Sequence, residues 1–297
     1  MVGKAIQRIG AADFQQIELA SPTREACDLT DLNAVRRMFE SEDYDAVIHA
    51  AAKVGGIQAN LDAPVDFLVQ NNLINNNVIL SAKDAGIQRL LFLASSCMYP
   101  RDYKNPLKEE YLLAAPLEPT NEGYALSKIV GAKLCEYLCG QAGLSYKTLI
   151  PCNLYGIGDH FGEDRSHLIA AAIKKIWLAQ KNGNSDVEIW SDGTARREFL
   201  YTDDLAKFIL DSLDKIDNLP DYLNLGLGSD FTVNEYYEFI AEALGYDGAF
   251  KHDLSKPVGM TQKLLDSSKA KAYGWAPAVS IQEGIRRTVE SFKVSQE

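Results

Sequence analysis

Apolar positions along the chain follow two alternating periods. Short runs dense in branched and aromatic residues predict strands at "QQIELA" (15–20), "DAVIHAAA" (45–52), "RLLFLAS" (89–95), "YKTLIPC" (146–152) and "VEIWS" (187–191). Between them, segments of helical period predict helices near 31–41, 62–85, 123–140 and 166–181, and Gly86 ends the second of these as a C-cap does. Strands that alternate with helices make a parallel sheet with helices on both faces, so the predicted class is α/β with a doubly wound parallel sheet. After residue 152 the pattern turns irregular, with strand-like "DYLNLGLG" (221–228) and helices in "TVNEYYEFIAEAL" (232–244) and "SIQEGIRRTVESF" (280–292). The expected division is a first domain over 1–152, to which 186–221 returns, and a smaller lobe made mainly of 153–297. The Pro-rich stretch from Pro100 to Pro119 is a loop long enough to be functional.

Composition narrows this picture. A chain of 297 residues, 46% hydrophobic and 24% charged, is long enough to bury a large core. Its formal net charge of −11 argues against a nucleic-acid-coating surface, so any anion site must be local. The five cysteines, Cys27, Cys97, Cys135, Cys139 and Cys152, are odd in number and follow no disulfide or metal framework, which reads as reduced thiols. Cys135 and Cys139 share a helix face as packing, and no metal site is expected. No apolar run reaches membrane-spanning length and the first residues lack a signal-peptide pattern, so the expected location is cytoplasmic.

The chain begins abruptly. A doubly wound dinucleotide fold opens with a strand, a glycine-rich turn and a helix whose N-terminus faces a pyrophosphate. "MVGKAIQRIG" starts inside that turn, with Gly3 as the only glycine before the helix. The expectation is a sheet lacking its first strand and most of the glycine-rich loop.

Candidate chemistry centres on "GYALSK", where Tyr124 and Lys128 lie four apart and point the same way on a helix. A phenol with a pKa near 10 serves acid–base chemistry at neutral pH only when a cation stabilises its anion, and Lys128 supplies that cation. Ser95, at the end of the preceding strand, is placed to hydrogen-bond a carbonyl. Cys97 in "LASSCMYP" reads as inert packing on its own. His49 and His252 read as structural.

A strand ending in Ser-Ser, a long loop and Y-x-x-x-K on a helix, behind "CDLTDL" and "HAAAKVGG", together resemble the extended short-chain dehydrogenase/reductases, whose fold is Rossmann-like. Within that superfamily, "AAAKVGGI" (50–57), "SSCMYP" (95–100), "LEPTNEGYALSK" (117–128), "PCNLYG" (151–156), "REFLYTDDLA" (197–206) and "SKPVGMTQKLLD" (255–266) are similar to the GDP-L-fucose synthase family. The resemblance covers nearly the whole chain. It implies epimerisation of GDP-4-keto-6-deoxy-D-mannose at C3 and C5, then reduction of the C4 ketone by NADPH.

By that resemblance Ser95, Tyr124 and Lys128 polarise the C4 oxygen, and Cys97 and His167 are the acid–base pair for epimerisation. His160 is the competitor of His167. The resemblance places the nucleotide sugar against Trp190, Arg197, Lys263 and Lys175, the last standing where an arginine is usual. It assigns NADP(H) to Gly3, Arg24 at the 2′-phosphate, Asp28, Leu29, Ala51, Ala52 and Lys53. The same cofactor is expected to touch Tyr124, Lys128 and His167, with Asn153 and Leu154 on the floor where it meets the substrate. A homodimer is implied through the helices near 62–85 and 123–140. Competing readings are a nucleotide-sugar 4-epimerase or 4,6-dehydratase, the latter disfavoured because "CMYP" holds no carboxylate, or a non-catalytic relic or scaffold.

Overall fold

The computed structural model describes residues 1–162, 166–256 and 260–296. The chain opens with helix α1 (Val2–Asp13), α2 (Leu32–Ser41), strand β1 (Val47–His49), α3 (Ile57–Asp62), α4 (Pro64–Asp84), β2 (Arg89–Leu93), α5 (Glu122–Ala142) and β3 (Ser145–Pro151). Local chemistry sets several boundaries. Asp31 caps α2 by accepting from the Asn33 amide, Pro64 starts α4 where its missing N–H costs nothing, and Gly143 closes α5 at φ 67°. There follow β4 (Asn153–Tyr155), α6 (Leu168–Asn182), β5 (Asp186–Trp190), β6 (Arg196–Arg197), β7 (Phe199–Tyr201), α7 (Thr202–Ser212) and β8 (Tyr222–Leu225). The chain ends with β9 (Phe231–Thr232), α8 (Val233–Leu244), β10 (Ala249–Asp253), β11 (Gln262–Lys263), α9 (Ser268–Lys271) and α10 (Ile281–Val294).

The central sheet runs β1-β2-β3-β8 and every pair in it is parallel. Parallel pairing puts the carboxyl ends of all four strands on one edge, so residues 50–53, 94–97, 152–154 and 226–228 emerge side by side, where open α/β sheets bind ligands. Three small sheets complete the fold: β10 with β5, β4 with β7, and β11-β6-β9. One apolar cluster packs the central sheet between α4, α5 and the 200–225 region, with Leu90, Leu91, Leu149, Ile150, Leu205 and Leu223 fully buried. A second cluster joins α6, α8 and α10 through Ile173, Ile176, Ile240 and Ile285, and takes in Val187 and Ile189 of β5.

Two expectations at the start of the chain are corrected. Residues 15–20 form no strand: among the described residues no strand lies beside them, and an unpaired strand has no ladder to hold it. Leu19 packs instead against Gly10 of α1, where a Cβ would collide with its side chain. Gly3 does not precede the first helix but sits in its first turn. The strand expected over 45–52 is confined to Val47–His49, an edge strand with β2 as its partner.

Candidate active site

The candidate catalytic side chains come from the end of one strand, β2, and from one helix, α5. After β2, Ser95 is extended and a single 3₁₀ turn covers Ser96–Met98, with the Ser95 hydroxyl accepting the Cys97 amide at 3.4 Å. That turn points Cys97 inward, and the residue is 5% exposed. On α5, Tyr124 and Lys128 share one face, and the Lys128 ammonium donates to the Leu93 carbonyl at 2.8 Å, 5.8 Å from the Tyr124 ring centroid. The end of β2 thus pins the lysine beneath the tyrosine.

Burial controls the protonation of all three groups. It lowers the Lys128 ammonium to about 8, with Cys97 pulling the other way. The Tyr124 phenol is pushed well up by burial, so it holds its proton at neutral pH. Burial also raises the Cys97 thiol, while Lys263, the Ser95 hydroxyl and Lys128 favour the thiolate. A protonated phenol backed by an ammonium can deliver a proton to a carbonyl oxygen, and a thiol held between two amines can exchange a proton with carbon.

The opposite wall is cationic. Lys263 and Arg197 are register partners in the parallel pair β11–β6. Burial lowers both cations, and Lys263 is favoured in its charged form by Cys97 and Arg197 by Glu118. Glu118, itself 8% exposed, holds the Thr120 hydroxyl at 3.0 Å and faces Arg101 at 3.4 Å. Asn153 donates to the Glu198 carbonyl at 3.2 Å, tying β4 to this wall, and Leu154 follows it in β4. Farther out, the Lys175 and Lys256 ammoniums lie 5.5 and 5.4 Å from the centroid of the half-exposed Trp190 ring.

Of the residues assigned to a dinucleotide, Ala51, Ala52 and Lys53 follow β1 at that sheet edge. In α1 the first helical bond runs from the Ala5 amide to the Met1 carbonyl, which leaves the first-turn N–H groups without helical acceptors. A Cβ at Gly3 would meet nothing within 4 Å, so a phosphate can approach the backbone there. Arg24 is exposed, and Asp28 accepts from both the amide and the hydroxyl of Thr30. Leu29 is held by its carbonyl, which accepts from Asn77. Ala51 and Ala52 lead into Lys53, whose amide and carbonyl both bond the Asn71 side chain, while its ammonium pairs with Asp66 at 3.0 Å. These features fit a dinucleotide phosphate: an open helix N-terminus, an exposed arginine and a loop tethered by Asn71.

His167 is the N-cap residue of α6 and is exposed, beside Asp159, whose carboxyl is raised by burial. Residues 163–165 of the same loop lie outside the described residues. His49 is buried against Phe92 and bonded to Asn75, and His252 bonds Asn234 at the surface. Sequence reasoning passed over Glu118, Asn71 and Glu198. Carboxylates and amides beside charged residues read as solvated positions until the fold shows them enclosed. Among the described residues no cluster of His, Cys, Asp and Glu could hold a metal ion.

Residues 6–226 match the model of the NAD dependent epimerase/dehydratase family. The sequence is 46% identical to a GDP-L-colitose synthase of Yersinia pseudotuberculosis over 293 residues, 98% of this chain and 94% of that one. It is 44% identical to a GDP-L-fucose synthase of Azorhizobium caulinodans over 297 residues, 100% of this chain and 95% of the relative. Among solved structures, the GDP-mannoheptose C4 reductase from Campylobacter jejuni with NADP bound has a TM-score of 0.88 at 31% identity, covering 98% of this chain and 95% of that chain.

Proposed function

Because this chain belongs to the NAD dependent epimerase/dehydratase family, we propose that it epimerises GDP-4-keto-6-deoxy-D-mannose at C3 and C5 and reduces the C4 ketone with NADPH, the activity of the GDP-L-fucose synthases. What carries this reading is the meeting at one place of two chemistries: Ser95, Tyr124 and Lys128 for a carbonyl, and Cys97 for a carbon acid. A ketone at C4 acidifies the hydrogens on both neighbouring carbons, so one base and one acid on opposite faces invert each centre through an enolate. Cys97 and His167 serve as that pair. The Ser95 hydroxyl and Tyr124 phenol hydrogen-bond the C4 oxygen throughout, stabilising its negative charge in the enolate. Bound NADPH supplies the hydride to C4. Tyr124 gives its proton to the oxygen in the same step, and the Lys128 ammonium offsets the charge left on the phenol.

Gly3, Arg24, Asp28, Leu29, Ala51, Ala52 and Lys53 hold the cofactor, with Asn153 and Leu154 beneath the reacting carbons. Arg197 and Lys263 take the diphosphate of the nucleotide sugar, and Trp190 with Lys175 lines the approach. The first apolar cluster, including residues 200–225, forms the cofactor lobe, and the second forms the substrate lobe. The protein works as a homodimer. Its support is an apolar stripe left exposed on α4 and α5: Val65, Val69 and Leu73 at four-residue spacing, with Leu126, Val130 and Tyr137. Among the described residues no helix is long and apolar enough to cross a membrane. With nucleotide ligands on both sides of the reaction, the working location is the cytoplasm.

The test is incubation with GDP-4-keto-6-deoxy-D-mannose and NADPH, following cofactor oxidation and identifying the product by NMR. Formation of GDP-L-fucose is the expected result. A 4-reduced sugar without inversion at C3 and C5 would leave a reductase of a different nucleotide sugar, and the substrate of the GDP-L-colitose synthase is then the next to try.

A further inference from the structure

Glu198 lies between the two small sheets that build the cationic wall, and it is 0% exposed. Its carboxylate reaches two other segments. One oxygen accepts the Gly228 amide at 2.8 Å, in the turn that leads into β9, and the other accepts the Leu265 amide at 3.0 Å, two residues after Lys263. Its own carbonyl accepts from Asn153 of β4 at 3.2 Å. One side chain therefore fastens β11 and the β9 turn to β6, the strand whose Arg197 stands opposite Lys263. Gly226 makes room for it, since a Cβ there would collide with the carboxylate.

β11 and β6 are two residues each, too short for their own ladder to fix register. Lys263 and Arg197 are like charges on adjacent strands, which repel and spread when nothing restrains them. A buried carboxylate bonded to the backbone on both sides is such a restraint, and bonds to an ionised acceptor are the strong ones.

We propose that Glu198 is the positioning residue of the Arg197–Lys263 pair: its carboxylate fixes the separation of the two cations and thereby the affinity for the diphosphate of a nucleotide sugar. This rests on the reading that these cations take that diphosphate. In Glu198→Gln one oxygen still accepts, but the amide nitrogen meets a backbone N–H donor to donor, so one of the two fastenings opens.

The experiment is calorimetric titration with GDP-mannose, a non-reacting nucleotide diphosphate sugar, of the wild type and Glu198→Gln, alongside NADPH titration and thermal melting. The expected result is GDP-mannose binding about tenfold weaker or worse in the variant, the loss of one bond to a charged acceptor, with NADPH affinity unchanged. Equal GDP-mannose affinity overturns the inference. A parallel loss of NADPH affinity and melting temperature also overturns it, by making Glu198 a general structural residue. If wild type itself fails to bind GDP-mannose, the GDP-sugar reading falls instead.

A variant that does not fold is replaced by a pH series on the wild type. Burial pushes the Glu198 carboxyl up to about 7, the Gly228 and Leu265 amides oppose that rise, and Asp230 adds to it. Facing it from other elements are Cys152 and Tyr236, both raised by burial, and near them the Lys263 and Arg197 cations. GDP-mannose affinity is then expected to fall as pH drops from about 8 to about 6, since protonation turns an acceptor into a donor. A flat profile overturns the proposal.

Discussion

Arg197 and Lys263 occupy the same rung of the parallel pair β6–β11, so two cations far apart in sequence project from adjacent backbones on one face. Replacing either by Ala is expected to raise KM for the nucleotide sugar about ten- to a hundredfold, the worth of a bond to a charged group. NADPH affinity stays unchanged. The Arg197→Lys variant keeps the charge but loses the guanidinium fork, and recovers only part of the loss. Steady-state kinetics at two salt concentrations check this, with the wild type the more salt-sensitive.

Epimerisation and reduction separate by mutation. In D₂O, Cys97→Ser is expected to lose most exchange of substrate hydrogens, whereas Tyr124→Phe keeps exchange and loses reduction by about 10²- to 10⁴-fold. Mass spectrometry of recovered substrate reads the first, and NADPH oxidation reads the second. Full exchange in Cys97→Ser would return that thiol to packing.

Lys128 sets an upper pH limit. Burial lowers its ammonium to about 8, so the charged form dominates below that value and the neutral amine above it. The rate of reduction is therefore expected to fall as pH rises through about 8, because the charge supporting the Tyr124 anion is lost. The pH profile of single-turnover NADPH oxidation gives the measurement. A Lys128→Met variant should show no such limb on its residual rate.

His49 makes stability acid-sensitive. Asn75 donates its Nδ2 to the Ser127 carbonyl, so its oxygen accepts and His49 Nε2 carries the proton at 3.1 Å. Burial, with Lys128 adding to it, lowers the imidazole to about 3. The unfolded chain takes up a proton near pH 6.5 while the folded one does not. Stability from this site is thus present above about 6.5 and is lost as pH falls toward 3, on the order of 5 kcal/mol in full. Urea titrations of wild type and His49→Gln at several pH values should show the variant losing less on acidification.

The exposed stripe on α4 and α5 is expected to be the subunit contact. The wild type is expected to sediment as a dimer and a Val69→Asp, Val130→Asp double variant as a monomer, because two desolvated carboxylates oppose burial. A dimer unchanged by both substitutions would place the contact elsewhere.

The sequence by itself determined whatever is written in local period and local chemistry. The alternation of strand and helix, and the shared face of Tyr124 and Lys128, follow from neighbours a few residues apart. Such relationships survive because helix and turn geometry fix them without help from the rest of the chain. Only the tertiary structure decided the others. Residues 15–20 have the composition of a strand, yet a strand exists through its partner, and none stands beside them among the described residues. Glu198 looks like half of a surface ion pair beside Arg197, and folding encloses it where two amides from distant segments converge. The pairing of Arg197 with Lys263 arises from β pairing between remote segments, and the influence of the Lys263 charge on the Cys97 thiol arises from the folding of remote segments onto one another. No period or spacing encodes that pairing, because burial and register are properties of the assembled sheets.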